Sequence, residues 1–384
     1  MARFLLAIVL FISTLVPCQA LVLGAEQPSL YLPTLADKRI GLVVNQSSRV
    51  KQQHLVDFLI AHNVNVTAIY APEHGFRGDK GAGENIDDQR DAKTGLPIYS
   101  LYGDTRKPTD NMLANVDVLL FDIQDVGVRF YTYISTLHYV IEAASENAKQ
   151  VIVLDRPNPN ISFVDGPILD TDFASFVGMH PIPVLHGMTV GELALMMVGQ
   201  GWIHTTEDFQ LSVIPMRDYS RETPYNLPIQ PSPNLPNAQS IKLYPSLCFF
   251  EPTTFSIGRG TVFPFQVIGH PVLEIGDFEF TPVSMPQSAP KPKHQDTRLM
   301  GLDLREFDAE GLSLSWLVDL YQHSKAANQP FFTSTSFFDK LAGTDQLRHA
   351  LEAGLDEASI RAQWAPGLAQ FRRDRAPYLL YPND

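Results

Sequence analysis

Between Lys38 and Arg156, continuous apolar runs alternate with stretches whose apolar residues recur at helical spacing. "RIGLVVN", "VNVTAIY", "DVLLFDI" and "QVIVLDR" are the runs, with "LPIYSLYG" a shorter one; "QHLVDFLIAHN", "DNMLANV" and "STLHYVIEAASENA" carry the helical spacing. Such alternation, with strands apolar on both faces, predicts a parallel sheet covered by helices on each side. The fold class read from this pattern is α/β: a Rossmann-like parallel sheet domain with a second, smaller α/β domain. Residues 21–165 are assigned to the first and 166–384 to the second, which closes a cleft against it. Beyond the first domain, "FQLSVIPM" and "FPFQVIGHPVL" read as strands, and "GLSLSWLVDLYQHS", "DQLRHALEAG" and "DEASIRAQWAPGLAQFRRDR" as helices. Thr189 and Glu192 form a capping-box start for a helix over "VGELALMMVGQGW". Proline is dense from Thr223 to Pro245, which predicts an ordered irregular loop or crossover.

Sheets of this kind bind ligands outside the carboxyl ends of their strands. The first run ends in Asn45 to Ser48, the second in Pro72-Glu73-His74-Gly75, the third in Asp122 to Arg129 and the last in Asp155 to Asn160. All four ends are polar and three carry carboxylates, so their convergence on one rim predicts a site.

The stretch "YAPEHGFRGDKGAGEN" gathers Glu73, His74, Arg77 and Glu84 directly after a buried run. Pro72 biases Ala71 towards an extended backbone, and Gly75 permits a tight exit. That leaves Glu73 near the top of the sheet and partly shielded from water. Shielding favours the protonated form of a carboxyl, as a general acid needs. The competing reading is a glutamate paired with Arg77 or Arg129.

In "DIQDVGVRFYTY", Asp122 and Asp125 supply carboxylates, Arg129 a fork of donors, and Tyr131 and Tyr133 aromatic faces. Stacking faces beside planar hydrogen-bonding groups suit a sugar ring. Equally, the tyrosines could start the next helix and fill space between the domains. Asp155, Arg156 and Asn158 follow the last run, and "SIGRGT" places Arg259 between two glycines, where it fits an anionic group on a ligand.

Composition narrows the partners. The chain has 384 residues, 45% hydrophobic and 18% charged, a soluble globular profile. A net charge of −13 argues against nucleic acid or anionic lipid as a partner. The first twenty residues, "MARFLLAIVLFISTLVPCQA", have the Arg3 n-region, apolar core and small-residue cut site of a secretory signal peptide. The expected location is therefore periplasmic or extracellular, with lipid anchoring at Cys18 as the alternative. No later segment is apolar enough to span a membrane. Dinucleotide, P-loop, H-E-x-x-H and G-x-S-x-G motifs are absent, and His74, His138, His180, His186 and His204 lack paired metal-ligand spacing. No cofactor or metal is expected.

The blocks "GLVVNQSS", "APEHGFRGDKGAGE", "PIYSLYGDTRKP", "DVLLFDIQDVGVRFYTY", "VIVLDRPNPN", "VDGPILD", "PSPNLP" and "FSIGRGT" together resemble the exo-β-N-acetylmuramidase family (NamZ type), formerly a domain of unknown function. The similarity runs from about Gly41 to the terminal "APYLLY". It implies hydrolysis of a terminal β-linked N-acetylmuramic acid from the non-reducing end of peptidoglycan fragments, in a cleft between two domains. The partners it implies are peptidoglycan-derived disaccharides and muropeptides.

The "PEHG" block carries the family's cleft glutamate to Glu73, as general acid. His74, Arg77, Glu84, Asp122, Asp125, Arg129, Tyr131, Tyr133, Asp155, Arg156, Asn158 and Arg259 are candidates to bind substrate. Arg259 or Arg129 would meet the lactyl carboxylate. The substrate's own acetamido group could be the nucleophile; otherwise Glu84 or Asp125 could act as base. Pro252 follows Glu251 where the family pattern carries glycine, so Glu251 is left without a role. The alternatives from other classes are a non-catalytic muropeptide-binding envelope protein and a metal-dependent hydrolase built on His74.

Overall fold

The computed structural model describes residues 21–73, 75–77 and 89–382. The expected signal peptide and the candidates His74 and Glu84 lie outside them.

The first domain opens with α1 (Pro28–Leu35), β1 (Ile40–Val44), a hairpin of β2 (Arg49–Val50) and β3 (Gln53–His54), α2 (Leu55–Ala61) and β4 (Val66–Ala71). It continues with β5 (Gln89–Arg90), β6 (Pro97–Ser100), α3 (Asp110–Leu113), β7 (Val118–Asp122), α4 (Tyr133–Glu146), β8 (Gln150–Leu154), α5 (Val190–Gly199) and β9 (Leu211–Ile214). Seven strands form one sheet in the order β5-β6-β4-β1-β7-β8-β9. All neighbours pair in parallel except β5, which runs antiparallel at the edge. Every residue of β1 and β7 is buried, because helices cover both faces. The six parallel strands follow the doubly wound order, reversing between β1 and β7.

One boundary needs correcting. Residue 165 does not end the first domain, since β9 pairs with β8 from Val151↔Leu211 to Leu154↔Ile214. The run "FQLSVIPM" is thus the sixth parallel strand of the first sheet. The helix before it begins as expected, with Thr189 and Glu192 capping each other's backbone N–H groups. Glu192 then pairs with Arg221 at 2.6 Å and accepts the Leu380 N–H, which fastens the carboxyl-terminal tail to this domain.

The second domain starts with α6 (Ala238–Leu247), inside the stretch expected to be irregular; Asn237 caps it through the Ser240 N–H. A three-stranded antiparallel sheet follows, in the order β10-β12-β11, from β10 (Val267–His270), β11 (Phe278–Phe280) and β12 (Leu299–Asp303). Helices α7 (Ser315–Ala326), α8 (Thr335–Ala342), α9 (Gln346–Glu352) and α10 (Glu357–Arg375) complete it.

Aromatic packing joins the domains. Phe130 meets Tyr244 of α6 edge-on at 5.3 Å and Phe249 at 5.7 Å. Among the described residues, no helix is long and apolar enough to cross a membrane.

Candidate active site

A cavity of about 350 Å³ lies at this junction, walled by both domains. The Glu73 carboxylate comes from the first. After β4, Pro72 and Glu73 turn the chain, Gly75 takes a φ of 77°, and its N–H closes the turn on the Pro72 carbonyl at 3.1 Å. Glu73 is half-buried there, beside the first residues of α4. The Thr132 hydroxyl donates to Glu73 Oε2 and the Tyr133 hydroxyl to the Glu73 carbonyl, each at 3.4 Å. Tyr102, just past β6, stands next to it; burial, then the Glu73 carboxylate, pushes the Tyr102 phenol up to about 12. It therefore remains a donor.

The opposite wall comes from the second domain. Arg259 projects from a loop between Gly258 and Gly260, whose φ angles of 80° and 82° lie in the left-handed region. Glu251 grips it through one oxygen, at 2.6 Å from Nε and 2.5 Å from Nη2. The guanidinium also lies over the Phe265 ring, 5.2 Å from its centroid. Below this pair the Lys293 ammonium donates to the carbonyls of Phe250, Glu251, Thr253 and Phe255. Burial brings Lys293 down to about 8, and the four carbonyls hold the loop that presents Glu251.

Aromatic and amide groups line the remainder. Tyr131 and Tyr133 pack edge-on at 4.8 Å, and both donate to the Pro231 carbonyl, at 2.8 and 3.4 Å. Arg106 stacks over Phe176 at 4.5 Å on the cavity rim. Asn234 is buried behind the wall, its amide nitrogen donating to the Ser288 carbonyl.

Of the expected site residues, Glu73, Tyr131, Tyr133 and Arg259 line this cavity. The other described candidates do not, and each has a physical reason. Arg129 is fully buried, with Nη1 donating to the carbonyls of Pro167 and Ile182 and Nη2 to those of Leu341 and Ala342. It clamps α8 to the first domain instead of meeting a ligand. Arg77 is engaged with Asp91 through contacts of 3.0–3.2 Å, so neither arginine is available to Glu73. Asp122 and Arg156 form a buried ion pair of 2.5 and 2.9 Å under the ends of β7 and β8. Asp155 is saturated by the N–H groups of Arg156 and Gly191 and the hydroxyls of Thr189 and Tyr381. Asn158 braces a turn: a Cβ on Gly127 would fall 1.9 Å from its Oδ1.

Asp125 accepts the Gly127 N–H at 2.6 Å from inside the protein, and burial pushes its carboxyl up to about 7. A carboxyl whose pKa is raised on folding favours the folded state most at low pH, and loses that contribution as pH rises through the folded value. Asp125→Asn should keep the turn. It should also remove the loss of stability between about pH 4 and pH 7 that this carboxyl causes. Urea denaturation at several pH values reads this directly.

Tyr102, Arg106, Thr132, Asn234 and Glu251 complete the cavity without having been singled out. Tyr102 had a signal, because it follows the shorter run "PIYS" and the strand-end rule applies there as well. Glu251 was set aside because Pro252 follows it, and its approach to Arg259 depends on a turn of the second domain. Among the described residues, His138 and His180 are neighbours, with rings 4.9 Å apart, and no three His, Cys, Asp or Glu side chains are grouped; His74 lies outside those residues.

A doubly wound domain and a smaller α/β domain meet over a carboxylate, a held guanidinium and aromatic faces, and the matching family gives this architecture its class, the glycosidases. The chain belongs to the exo-β-N-acetylmuramidase NamZ family: the model of that family's amino-terminal domain matches residues 40–239 and that of its carboxyl-terminal domain residues 242–381. It is 41% identical over 376 residues to the peptidoglycan β-N-acetylmuramidase NamZ of Bacillus subtilis (strain 168), covering 91% of this chain and 89% of that one. Two solved structures of DUF1343 family proteins from Bacteroides fragilis NCTC 9343 share the fold. One has a TM-score of 0.84 at 42% identity, covering 95% of this chain and all of its own. The other has a TM-score of 0.82 at 31% identity, covering 94% and 99%.

Proposed function

We propose that the protein is an exo-acting glycosidase that releases terminal β-linked N-acetylmuramic acid from the non-reducing end of peptidoglycan fragments. The observation that carries this is the meeting of Glu73, Arg259 and the aromatic faces of Tyr131 and Tyr133 on one cavity, in a chain of the muramidase family. In this reading Glu73 gives its proton to the glycosidic oxygen as the C1–O bond breaks, and water supplies the hydroxyl that ends on C1 and the proton that restores Glu73. The thiol of Cys248 plays no part, since burial pushes its pKa up and keeps it protonated.

Recognition divides between the two domains. Arg259 takes the lactyl carboxylate, with Glu251 fixing the guanidinium so that it arrives already oriented. The tyrosines give the ring an apolar face. Export, expected from the first twenty residues, would set such an enzyme beside cell-wall sugar.

Arg259→Ala tests the carboxylate assignment. A charge-assisted hydrogen bond contributes about 1.5–3 kcal/mol, so kcat/KM on a chromogenic β-N-acetylmuramide should fall by roughly ten- to a hundredfold. Activity on the matching glucosaminide, which lacks the lactyl group, should change little. Equal losses on both would remove Arg259 as the carboxylate reader.

A further inference from the structure

A second cavity, of about 910 Å³, opens outside the carboxyl ends of β1, β7 and β8. It lies beside the point where the strand order reverses, the place at which sheets of this topology hold ligands. The catalytic cavity does not use that crevice. The proline-rich loop divides the two: Thr223, Pro224, Tyr225, Pro228 and Ile229 face the second cavity, whereas Ser232, Asn234 and Leu235 wall the first. Between them the Pro231 carbonyl is held by Tyr131, Tyr133 and the Gln46 amide.

The floor of this second cavity is made of buried polar groups with unused capacity. Gln124 is only 3% exposed; its Nε2 donates to the carbonyls of Asp125 and Pro157, and its Oε1 has no partner among the described residues. Arg156 is 4% exposed; Nε and Nη2 serve Asp122 and the Arg49 carbonyl, and Nη1 has no acceptor among the described residues. An acceptor and a cationic donor thus stand together on the floor. Tyr225 and Lys51 wall the same space, and the nearby Glu26 carboxylate is engaged by the backbone N–H groups of Leu23 and Lys51. Buried polar groups are nearly always satisfied, so a cavity floor with an unused donor and acceptor is shaped for a polar ligand.

We propose that this cavity is a second binding site, for a small molecule carrying a carboxylate and an amide N–H a few bonds apart. The carboxylate meets Arg156 Nη1 with Lys51 near, the N–H is accepted by Gln124 Oε1, and Tyr225 packs on the intervening carbons. No residue of the catalytic cavity takes part, although the choice of cell-wall probes rests on the muramidase reading.

Such chemistry has two sources in the cell wall, an acidic peptide and an N-acetylated acidic sugar. Calorimetric titration of the purified protein with L-alanyl-D-glutamate and, separately, with N-acetylmuramic acid distinguishes them. The expected result is binding of at least one probe that weakens about tenfold in Lys51→Gln and in Tyr225→Ala, as loss of a charge-assisted contact or a stacking face would require. Lys51 is exposed, so Lys51→Gln should melt at the parent temperature and retain parent turnover on the chromogenic muramide. N-acetylmuramic acid also fits the catalytic cavity, but that binding would be untouched by either variant and sensitive to Arg259→Ala. The proposal is overturned if neither probe binds at millimolar concentration, or if all binding persists in both variants.

Discussion

Glu73→Gln is expected to abolish nearly all turnover of a chromogenic β-N-acetylmuramide while leaving the melting curve unchanged. General acid catalysis contributes about 10²- to 10⁴-fold, and the amide has no proton to give to the leaving oxygen. The substitution preserves shape and leaves an oxygen to accept from the Thr132 hydroxyl, which donates to Glu73 Oε2 at 3.4 Å. Substrate affinity should therefore survive, so the loss should fall on kcat and not on KM. A variant as active as the parent would remove Glu73 as the acid. A variant that fails to fold would say nothing about catalysis, so the melting curve belongs in the same experiment.

The second large effect is on stability. Arg129→Met should lower the unfolding free energy by about 3 kcal/mol or more, read from the urea midpoint, because several buried carbonyls lose a charged donor at once. No carboxylate pairs with Arg129 among the described residues, and burial pulls its pKa down to about 9, so its role rests on geometry more than charge. The planar fork spans two elements of the first domain's chain and the end of α8 together. Arg129→Lys should therefore rescue little, since one ammonium cannot cover that span. Gly343 packs closely here as well: a Cβ on it would approach Arg129 Nη2 to 2.7 Å. Arg259→Ala, by contrast, should affect substrate choice and not the melt, which separates the arginine that holds the domains from the one that faces the cavity.

The contrast between those arginines also shows what was legible in the chain. Period and polarity located the parallel strands and the acid-bearing turn, because those features are local: an apolar run of five or six residues, then Pro72, Glu73 and Gly75. Whether a polar strand end faces solvent, ligand or protein is not local. Asp122, Asp155, Arg156 and Asn158 follow strands as a site would require, yet they spend most of their hydrogen bonds on one another and on neighbouring backbone. The first boundary was misplaced because β9 returns to the sheet after a long excursion, and only pairing reveals that. Glu251 and Asn234 enter the cavity from loops whose course proline and glycine permit but do not dictate.

The account as a whole is tested most directly by incubating the purified protein with a muramic-acid-capped disaccharide, N-acetylmuramyl-β-1,4-N-acetylglucosamine, and reading the products by mass spectrometry. It predicts equal amounts of free N-acetylmuramic acid and N-acetylglucosamine, with none formed by Glu73→Gln. An intact disaccharide, in a sample where calorimetry shows that it is bound, would contradict it and mark the protein as a binder of cell-wall fragments.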